Sequence, residues 1–206
     1  MKIKRTANAG VLLEMSGVRL LLDGVSKPLS PYEGTPQSIK NELCSQFPDA
    51  IMFTHYHDDH YDEEFSLEYK TNTLRSVYGP EFALYGKMGN TKIKGIPTRH
   101  IGKADVPHMS YHIDGEKCIW FMGDASPLEI KKFAQEKAPD VLIVPYAYVT
   151  TKSAWEAAKN LGAKKIILLH MPQKQNDRHN LWQAMEETVG DYKNLIIPEI
   201  GEVVEL

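Results

Sequence analysis

Short runs of apolar residues, separated by turn residues, dominate the first part of the chain. Residues 11–15 and 18–22 form such runs, with Ser16-Gly17 between them, and residues 2–6 precede them as an alternating segment that is also predicted to be a strand. This pattern is typical of β-strands that pair through tight turns. Residues 24–36 are rich in proline and glycine, so the meander is predicted to end in a long loop.

Further along, apolar runs alternate with segments of helical periodicity. The predicted strands are 50–53, 92–96, 109–114, 117–122, 141–144, 165–169, 195–197 and 202–205, and the predicted helices are 38–46, 63–70, 127–135, 151–161 and 180–189. Residues 97–107 are predicted to form a loop, and 76–95 give the weakest pattern, in which 92–96 is the best candidate for a strand. Meanders followed by strand–helix units predict an α/β domain with helices covering the sheets. No linker or repeat interrupts the pattern, so residues 1–206 are expected to form one domain.

Composition and charge exclude several classes of protein. The 206 residues include 24 Lys and Arg against 27 Asp and Glu, a formal net charge of −3. Such a chain has no general attraction to nucleic acid or anionic membranes. Cys44 and Cys118, the two cysteines, are too few for a disulfide scaffold or a cysteine-based zinc finger. Without a signal peptide or a long apolar stretch, the chain is expected to be cytoplasmic and not to contact membranes.

The densest group of potential metal ligands follows the apolar run 50–53. His55, His57, Asp59 and His60 lie within six residues. Imidazole and carboxylate groups are the ligands that suit zinc, iron and manganese. Such a loop can divide its ligands between two neighbouring ions. The alternative is a solvated loop in which Asp58 or Asp59 caps the following helix.

Four more polar residues follow other predicted strands: Asp23, His100, Asp124 and His170. Residues just beyond strands can converge at one edge of the sheets. Each also has a simpler interpretation, since Asp124 could cap the helix predicted from Pro127 and His170 could be a turn residue. Together with the histidine-rich loop, they favour a metal site with two ions.

The order of these motifs resembles that of the metallo-β-lactamase fold superfamily of metal-dependent hydrolases. The resemblance rests on His55-Tyr56-His57-Asp58-Asp59-His60, then His100, Gly123-Asp124 and His170, and it spans residues 2–170. It implies an αββα sandwich of four layers, with two mixed β-sheets between helices and the metals at one edge.

The resemblance also implies roles for individual residues. His55, His57 and His100 would hold the first metal, and Asp59, His60 and His170 the second. Asp124 would bridge the two ions, and Asp23 would orient a ligand histidine through its free N–H. His108 is an alternative to His100, or a residue that contacts substrate. His112 is predicted to be structural.

The implied chemistry is hydrolysis by a hydroxide that bridges two divalent cations, with Zn²⁺ expected and Mn²⁺ or Fe²⁺ as alternatives. Asp59 is the candidate catalytic residue, both a ligand and a group that can hold or transfer the proton of the water. The resemblance is to small hydrolases of the lactonase-like and phosphodiesterase-like branches. The expected substrate is therefore a small molecule with an ester, lactone or phosphodiester bond.

Two other functions remain open: an RNA-processing nuclease, which the net charge disfavours, and a metal-binding module without catalysis. Three loops are candidates for substrate contacts, with Tyr32 in the first and Tyr146 and Tyr148 in the second. In the third, Lys174, Arg178 and His179 could bind an anionic group or simply form a solvated loop. The sequence leaves the oligomeric state open.

Overall fold

The computed structural model describes residues 1–82, 85–103 and 105–206. Its strands are β1 (Lys2–Arg5), β2 (Val11–Met15), β3 (Val18–Leu22), β4 (Ala50–Met52), β5 (Val77–Tyr78), β6 (Tyr85–Met88), β7 (Thr91–Pro97), β8 (Met109–Asp114), β9 (Cys118–Phe121), β10 (Val141–Val144), β11 (Lys165–Leu168), β12 (Leu195–Ile196) and β13 (Val203–Glu205). The α-helices are α1 (Gln37–Ser45), α2 (Glu63–Thr73), α3 (Lys152–Lys159) and α4 (Leu181–Val189), and 3₁₀ helices cover Pro127–Phe133, Tyr146–Tyr148 and Lys174–Asn176. None of the described helices has both the length and the apolar surface needed to cross a bilayer.

The strands form two mixed sheets. The first has the order β13-β1-β2-β3-β4-β5, and the second has the order β12-β11-β10-β9-β8-β7-β6. In the first sheet β3, β4 and β5 are parallel, and the other pairs are antiparallel. In the second sheet β9 to β12 are parallel, and β6 to β9 are antiparallel. Each sheet therefore joins a meander to a parallel segment, as the strand–helix order predicts.

Both faces of the sheets are buried. Successive side chains along a strand point to opposite faces, so neighbouring residues of one strand belong to different apolar clusters. In β3, Leu20 lies in an apolar cluster shared by both sheets, whereas Leu21 lies in a second cluster with residues of α1 and α2. In β10, Ile143 belongs to the shared cluster, and Leu142 packs in a third cluster with residues of α3 and α4. The result is a helix–sheet–sheet–helix arrangement, which confirms the predicted four-layer α/β sandwich.

The predicted elements recur with shifts of at most three residues at their ends, apart from three differences. The strands β5 and β6 lie where the sequence pattern was weakest, because β5 has two residues and β6 is an edge strand with little apolar alternation. The helix predicted at 127–135 is a 3₁₀ helix, a form common in short segments. Two further 3₁₀ turns lie in predicted loops. The weakly patterned segment includes residues 83 and 84, and the predicted loop 97–107 includes residue 104; these three lie outside the described residues.

Two leucines test whether the shared apolar cluster stabilises the fold. Leu20 is 1% exposed within that cluster, and Leu67 on α2 is 64% exposed. We expect Leu20→Ala to lower the free energy of unfolding by about 2–5 kcal/mol, because it removes buried methyl groups and leaves a cavity. Leu67→Ala makes the same chemical change and should alter it by less than about 0.5 kcal/mol. Urea unfolding measures both, and equal losses would contradict this packing.

Candidate metal centre

Strand ends from both sheets meet at one edge of the sandwich. Asp23 follows β3, and His55 lies three residues beyond β4, which is parallel to β3. Asp124 and His170 follow β9 and β11, which run in the same direction in the other sheet. His100 follows β7, whose carboxyl end lies at that edge because β7, β8 and β9 alternate in direction. The sequence prediction that these residues follow strands is confirmed.

The backbone at this edge adopts left-handed conformations at three of the strand ends. The φ angles are 46° at Asp23, 52° at Gly123 and 58° at His170. Such values are unfavourable for residues with a side chain and often occur at functional sites. At Gly123 a side chain is excluded as well, because a Cβ there would lie 2.5 Å from the side chain of Thr54. Gly123 therefore allows β9 to approach the end of β4, so that Asp124 reaches the cluster.

Three histidines converge in the first half of the cluster. His55 Nε2 lies 3.0 Å from His57 Nδ1 and 3.3 Å from His100 Nε2. His55 Nδ1 donates to Thr54 Oγ1 at 3.0 Å, since that hydroxyl donates its own proton to a carboxylate. His100 Nδ1 donates to the carbonyl oxygen of Ile101 at 2.6 Å. Since Nδ1 carries the proton in both rings, Nε2 of His55 and Nε2 of His100 each present a lone pair. These lone pairs face each other, which is repulsive unless a positive charge lies between them.

The second half of the cluster contains Asp59, His60 and His170. His60 Nδ1 donates to Asp23 Oδ2 at 2.8 Å, so Nε2 is the nitrogen of His60 that faces the cluster. Among the described residues, neither His60 Nε2 nor His170 Nε2 has a hydrogen-bond partner, although both are buried. His170 Nε2 lies only 3.0 Å from Asp59 Oδ2, but not in hydrogen-bonding geometry. The polar atoms point towards shared space instead of pairing with one another.

Asp124 lies between the two halves. Its Oδ2 is 3.6 Å from His100 Nε2 and 3.4 Å from His170 Nε2. Its Oδ1 is 3.5 Å from His60 Nε2 and has no hydrogen-bond partner among the described residues. One buried carboxylate therefore faces histidines of both groups.

The cluster contains three buried carboxyl groups. Asp23, Asp59 and Asp124 are at most 6% exposed. Across residues 1–82, 85–103 and 105–206, no lysine or arginine forms an ion pair with any of them, and their ion-pair partners are histidines. Burying a carboxylate without a compensating charge is costly. A cation in the cluster would remove that cost.

The pKa shifts point the same way. Burial on its own raises the pKa of Asp124, but His170 and His60 outweigh it and hold that pKa well below its usual value. Burial also lowers the pKa of His60, but Asp124 and Asp23 raise it well above its usual value. In the protein alone, the field of the carboxylates therefore favours positive charge at this position.

The geometry suits divalent cations. Three groups each offer ligand atoms within 4.8 Å of one another, namely His55–His57–His100, His55–His60–Asp124 and Asp59–His60–His170. Imidazole nitrogen and carboxylate oxygen are common ligands of zinc, iron and manganese. The first and third groups match the two ligand sets that the sequence resemblance implies.

His108 lies beside the cluster, but both its ring nitrogens are engaged by the protein. The backbone N–H of Asp124 donates to His108 Nε2 at 3.0 Å, so His108 Nδ1 carries the proton and donates to Thr98 Oγ1 at 2.7 Å. Thr98 Oγ1 lies 2.9 Å from Ser110 Oγ, which donates to the carbonyl oxygen of Met122. Burial lowers the pKa of His108 to about 3, so the ring is neutral. His108 thus anchors the Asp124 backbone, and His100 occupies the position beside His55.

The sequence interpretation did not identify Thr54 as part of the site. Its backbone N–H and hydroxyl donate to the two oxygens of Asp23 at 2.7 and 2.6 Å, and the same hydroxyl accepts from His55. Thr54 thereby links the aspartate that orients His60 to a histidine of the other group. The sequence signal that could have identified Thr54 is its position, because it is a polar residue between the buried strand and the first histidine of the motif.

The remaining candidates separate by position. Tyr32 and Tyr146 pack on His170, with ring centroids 4.3 and 5.9 Å away, whereas the Tyr148 hydroxyl is tied to the carbonyl oxygen of Ser126. His112 contacts Cys118 outside the cluster. Lys174 lies over the ring of Trp182, and Arg178 and His179 are exposed.

Comparison with known proteins identifies the family of this chain. The family model described as "Beta-lactamase superfamily domain" matches residues 2–170. No curated protein sequence matches the chain.

Solved structures share the fold at low sequence identity. Igni18, a metallo hydrolase from Ignicoccus hospitalis, is 19% identical with a TM-score of 0.68, and the match covers 98% of this chain and 97% of that one. The isothiocyanate hydrolase from Delia radicum gut bacteria is 15% identical with a TM-score of 0.68, covering 100% and 99%. CmlA, a diiron β-hydroxylase from Streptomyces venezuelae, is 12% identical with a TM-score of 0.70, covering 100% of this chain and 54% of that one. Since the family model matches most of the chain, this protein belongs to the beta-lactamase superfamily.

Proposed function

We propose that the chain is a metal-dependent hydrolase that cleaves an ester, lactone or phosphodiester bond of a small molecule. The observation that carries this proposal is the convergence of buried imidazole lone pairs and carboxylates, without a lysine or arginine among their described ion-pair partners, at one edge of the sandwich. Open clusters of this donor type hold the cations of many hydrolases. Zn²⁺ is the cation we expect, with Mn²⁺ or Fe²⁺ as alternatives.

The two ligand sets we propose follow the halves of the cluster. His55, His57 and His100 would hold one cation, and Asp59, His60 and His170 would hold the other. Asp124 would be shared between the two sets, which is supported by the similar distances, 3.6 and 3.4 Å, from its Oδ2 to His100 Nε2 and to His170 Nε2. His57 is only half-buried, so the cluster is open to solvent at that ligand.

When bound, the cations would polarise the scissile bond and lower the pKa of a water molecule from about 16 towards 7. Asp59 is the residue we propose to receive the proton of that water at a carboxylate oxygen. Burial raises its pKa, but His170 and His60 bring the pKa below its usual value. The side chain is therefore ionised at neutral pH.

Asp23 and His108 position the ligands. Asp23 accepts the His60 Nδ1 proton, so the His60 Nε2 lone pair points into the cluster. His108 accepts the backbone N–H of Asp124 and fixes the turn that carries this carboxylate. Neither side chain contacts the reacting atoms in this proposal.

Replacing His57 tests the proposed metal site and activity together. We expect His57→Ala to lose bound metal and to reduce hydrolysis to background, because one of three imidazole ligands of the first cation is removed. Elemental analysis gives the metal content. Bis(4-nitrophenyl) phosphate, 4-nitrophenyl acetate and dihydrocoumarin report cleavage of the three bond types.

His112→Gln is the matched control, since it replaces a histidine outside the cluster and should leave metal content and turnover unchanged. Turnover that persists in metal-free His57→Ala protein would refute the proposal. A wild-type protein that holds metal and cleaves none of the three bonds would instead favour a metal-binding module.

Replacing Asp23 tests whether an oriented His60 is needed for metal binding. Asn tolerates the positive φ of this residue, but its amide group cannot reproduce both acceptor oxygens of the carboxylate. We expect Asp23→Asn to weaken metal affinity by about tenfold to a hundredfold, which is typical for residues that orient ligands. Competition with a chromogenic chelator measures the affinity.

The control is Asp114→Asn, which makes the same change at the end of β8, where Asp114 pairs with Lys137. This end of β8 lies at the opposite edge of the sheet from the cluster. Equal affinities of the two variants would contradict the orienting role of Asp23.

A further inference from the structure

A cavity of about 480 Å³ lies beside the metal cluster. Its lining combines aromatic and apolar residues, among them Tyr32, Tyr146, Pro172 and Leu181, with charged or polar residues, among them Asp177, Arg178 and His179. Cavities of roughly 300–1,000 Å³ with apolar walls and few polar groups are typical of small-molecule sites. The size and lining fit a small organic molecule.

Two aromatic rings border both the cavity and the metal cluster. Tyr32 packs edge-on against His170 with ring centroids 4.3 Å apart, and Tyr146 lies 5.9 Å from the same imidazole. Both tyrosines therefore contact His170, a proposed metal ligand, and also line the cavity. A molecule whose reacting bond is at the cluster can extend its remaining part between these rings, where a planar group packs well.

The rim of the cavity carries an available positive charge. Within the described part of the chain, the Arg178 guanidinium forms no hydrogen bond and no ion pair, and its side chain is exposed. The neighbouring Asp177 also lines the cavity, but it forms no ion pair with Arg178 among the described residues. Its carboxylate accepts the backbone N–H groups of His179, Leu181 and Trp182 at 3.3, 3.0 and 2.9 Å. These bonds direct the carboxylate to the start of α4.

The other cation of this loop has a different environment. Lys174 Nζ lies 4.9 Å from the centre of the Trp182 ring and borders a separate cavity. Arg178 is thus the cation that faces the space beside the cluster. A guanidinium group can bind a carboxylate through two parallel hydrogen bonds.

We propose that the substrate has a planar, apolar body that packs against Tyr32 and Tyr146 and a carboxylate that pairs with Arg178. This inference rests on the proposed hydrolase function, since it assigns the substrate class of the same site. Arg178 is a residue for specificity, and Tyr32 and Tyr146 form the walls that hold the substrate body.

Benzoate and benzamide test the inference without turnover, because they share an aromatic ring and differ in charge. NMR titration of the full chain loaded with Zn²⁺ gives the affinity for each probe. We expect the wild type to bind benzoate more tightly than benzamide, and Arg178→Ala to weaken benzoate binding about fivefold, the upper range for an exposed ion pair. Benzamide binding should be unchanged, and Arg178→Lys should recover part of the loss.

Lys174→Ala is the matched control, since it removes the same charge from the same loop outside the cavity and should leave both affinities unchanged. Tyr146→Ala should weaken both probes alike. Benzoate binding that is equal in wild type and Arg178→Ala would place the carboxylate on the metals and overturn the inference, as would failure of both probes to bind. The binding measurements do not require catalysis. A wild type that binds benzoate through Arg178 but hydrolyses no substrate would therefore refute the hydrolase proposal and leave the carboxylate-binding site supported.

Discussion

Buried carboxylates and imidazole lone pairs face one another at one edge of the sandwich, and this constraint governs the site. Asp59 and Asp124 are buried beside histidines whose lone pairs point inward, so the cluster is unfavourable without added positive charge. The divalent cations that we propose would satisfy it, because they would accept the lone pairs and balance the carboxylates. We therefore infer that the surrounding hydrogen bonds orient the side chains so that their ligand atoms point towards the same positions.

The fold supports this arrangement at a cost in backbone strain. Parallel strands in both sheets end at the same edge, and Asp23, Gly123 and His170 adopt left-handed conformations directly beyond three of them. The absence of a Cβ at Gly123 allows the close approach to Thr54. Apolar clusters on both faces of the sheets hold the strands rigidly enough to maintain these conformations. At this edge the non-glycine residues with positive φ are Asp23, which orients His60, and His170, a proposed ligand.

Much of the fold could be predicted because its signals are local. Runs such as Val141–Val144 are apolar throughout since both faces of the sheet are covered, and the polar residues that follow the strands mark the functional edge. Two-residue β5 and edge strand β6 lack such a signal. The sequence left His100 and His108 as alternatives, because a choice between them depends on hydrogen bonds across the fold. Thr98 and the Asp124 backbone engage both His108 nitrogens, which no spacing along the chain reveals.

The fold on its own does not determine the chemistry, since CmlA, described as a diiron β-hydroxylase, has a similar fold to the whole of this chain. The central claim is that two cations occupy this cluster. Anomalous X-ray diffraction from a crystal of the purified protein tests it most directly. We expect two anomalous peaks about 3.5–4 Å apart, one among His55, His57 and His100 and the other among Asp59, His60 and His170. A well-ordered cluster without a peak at either position would contradict it.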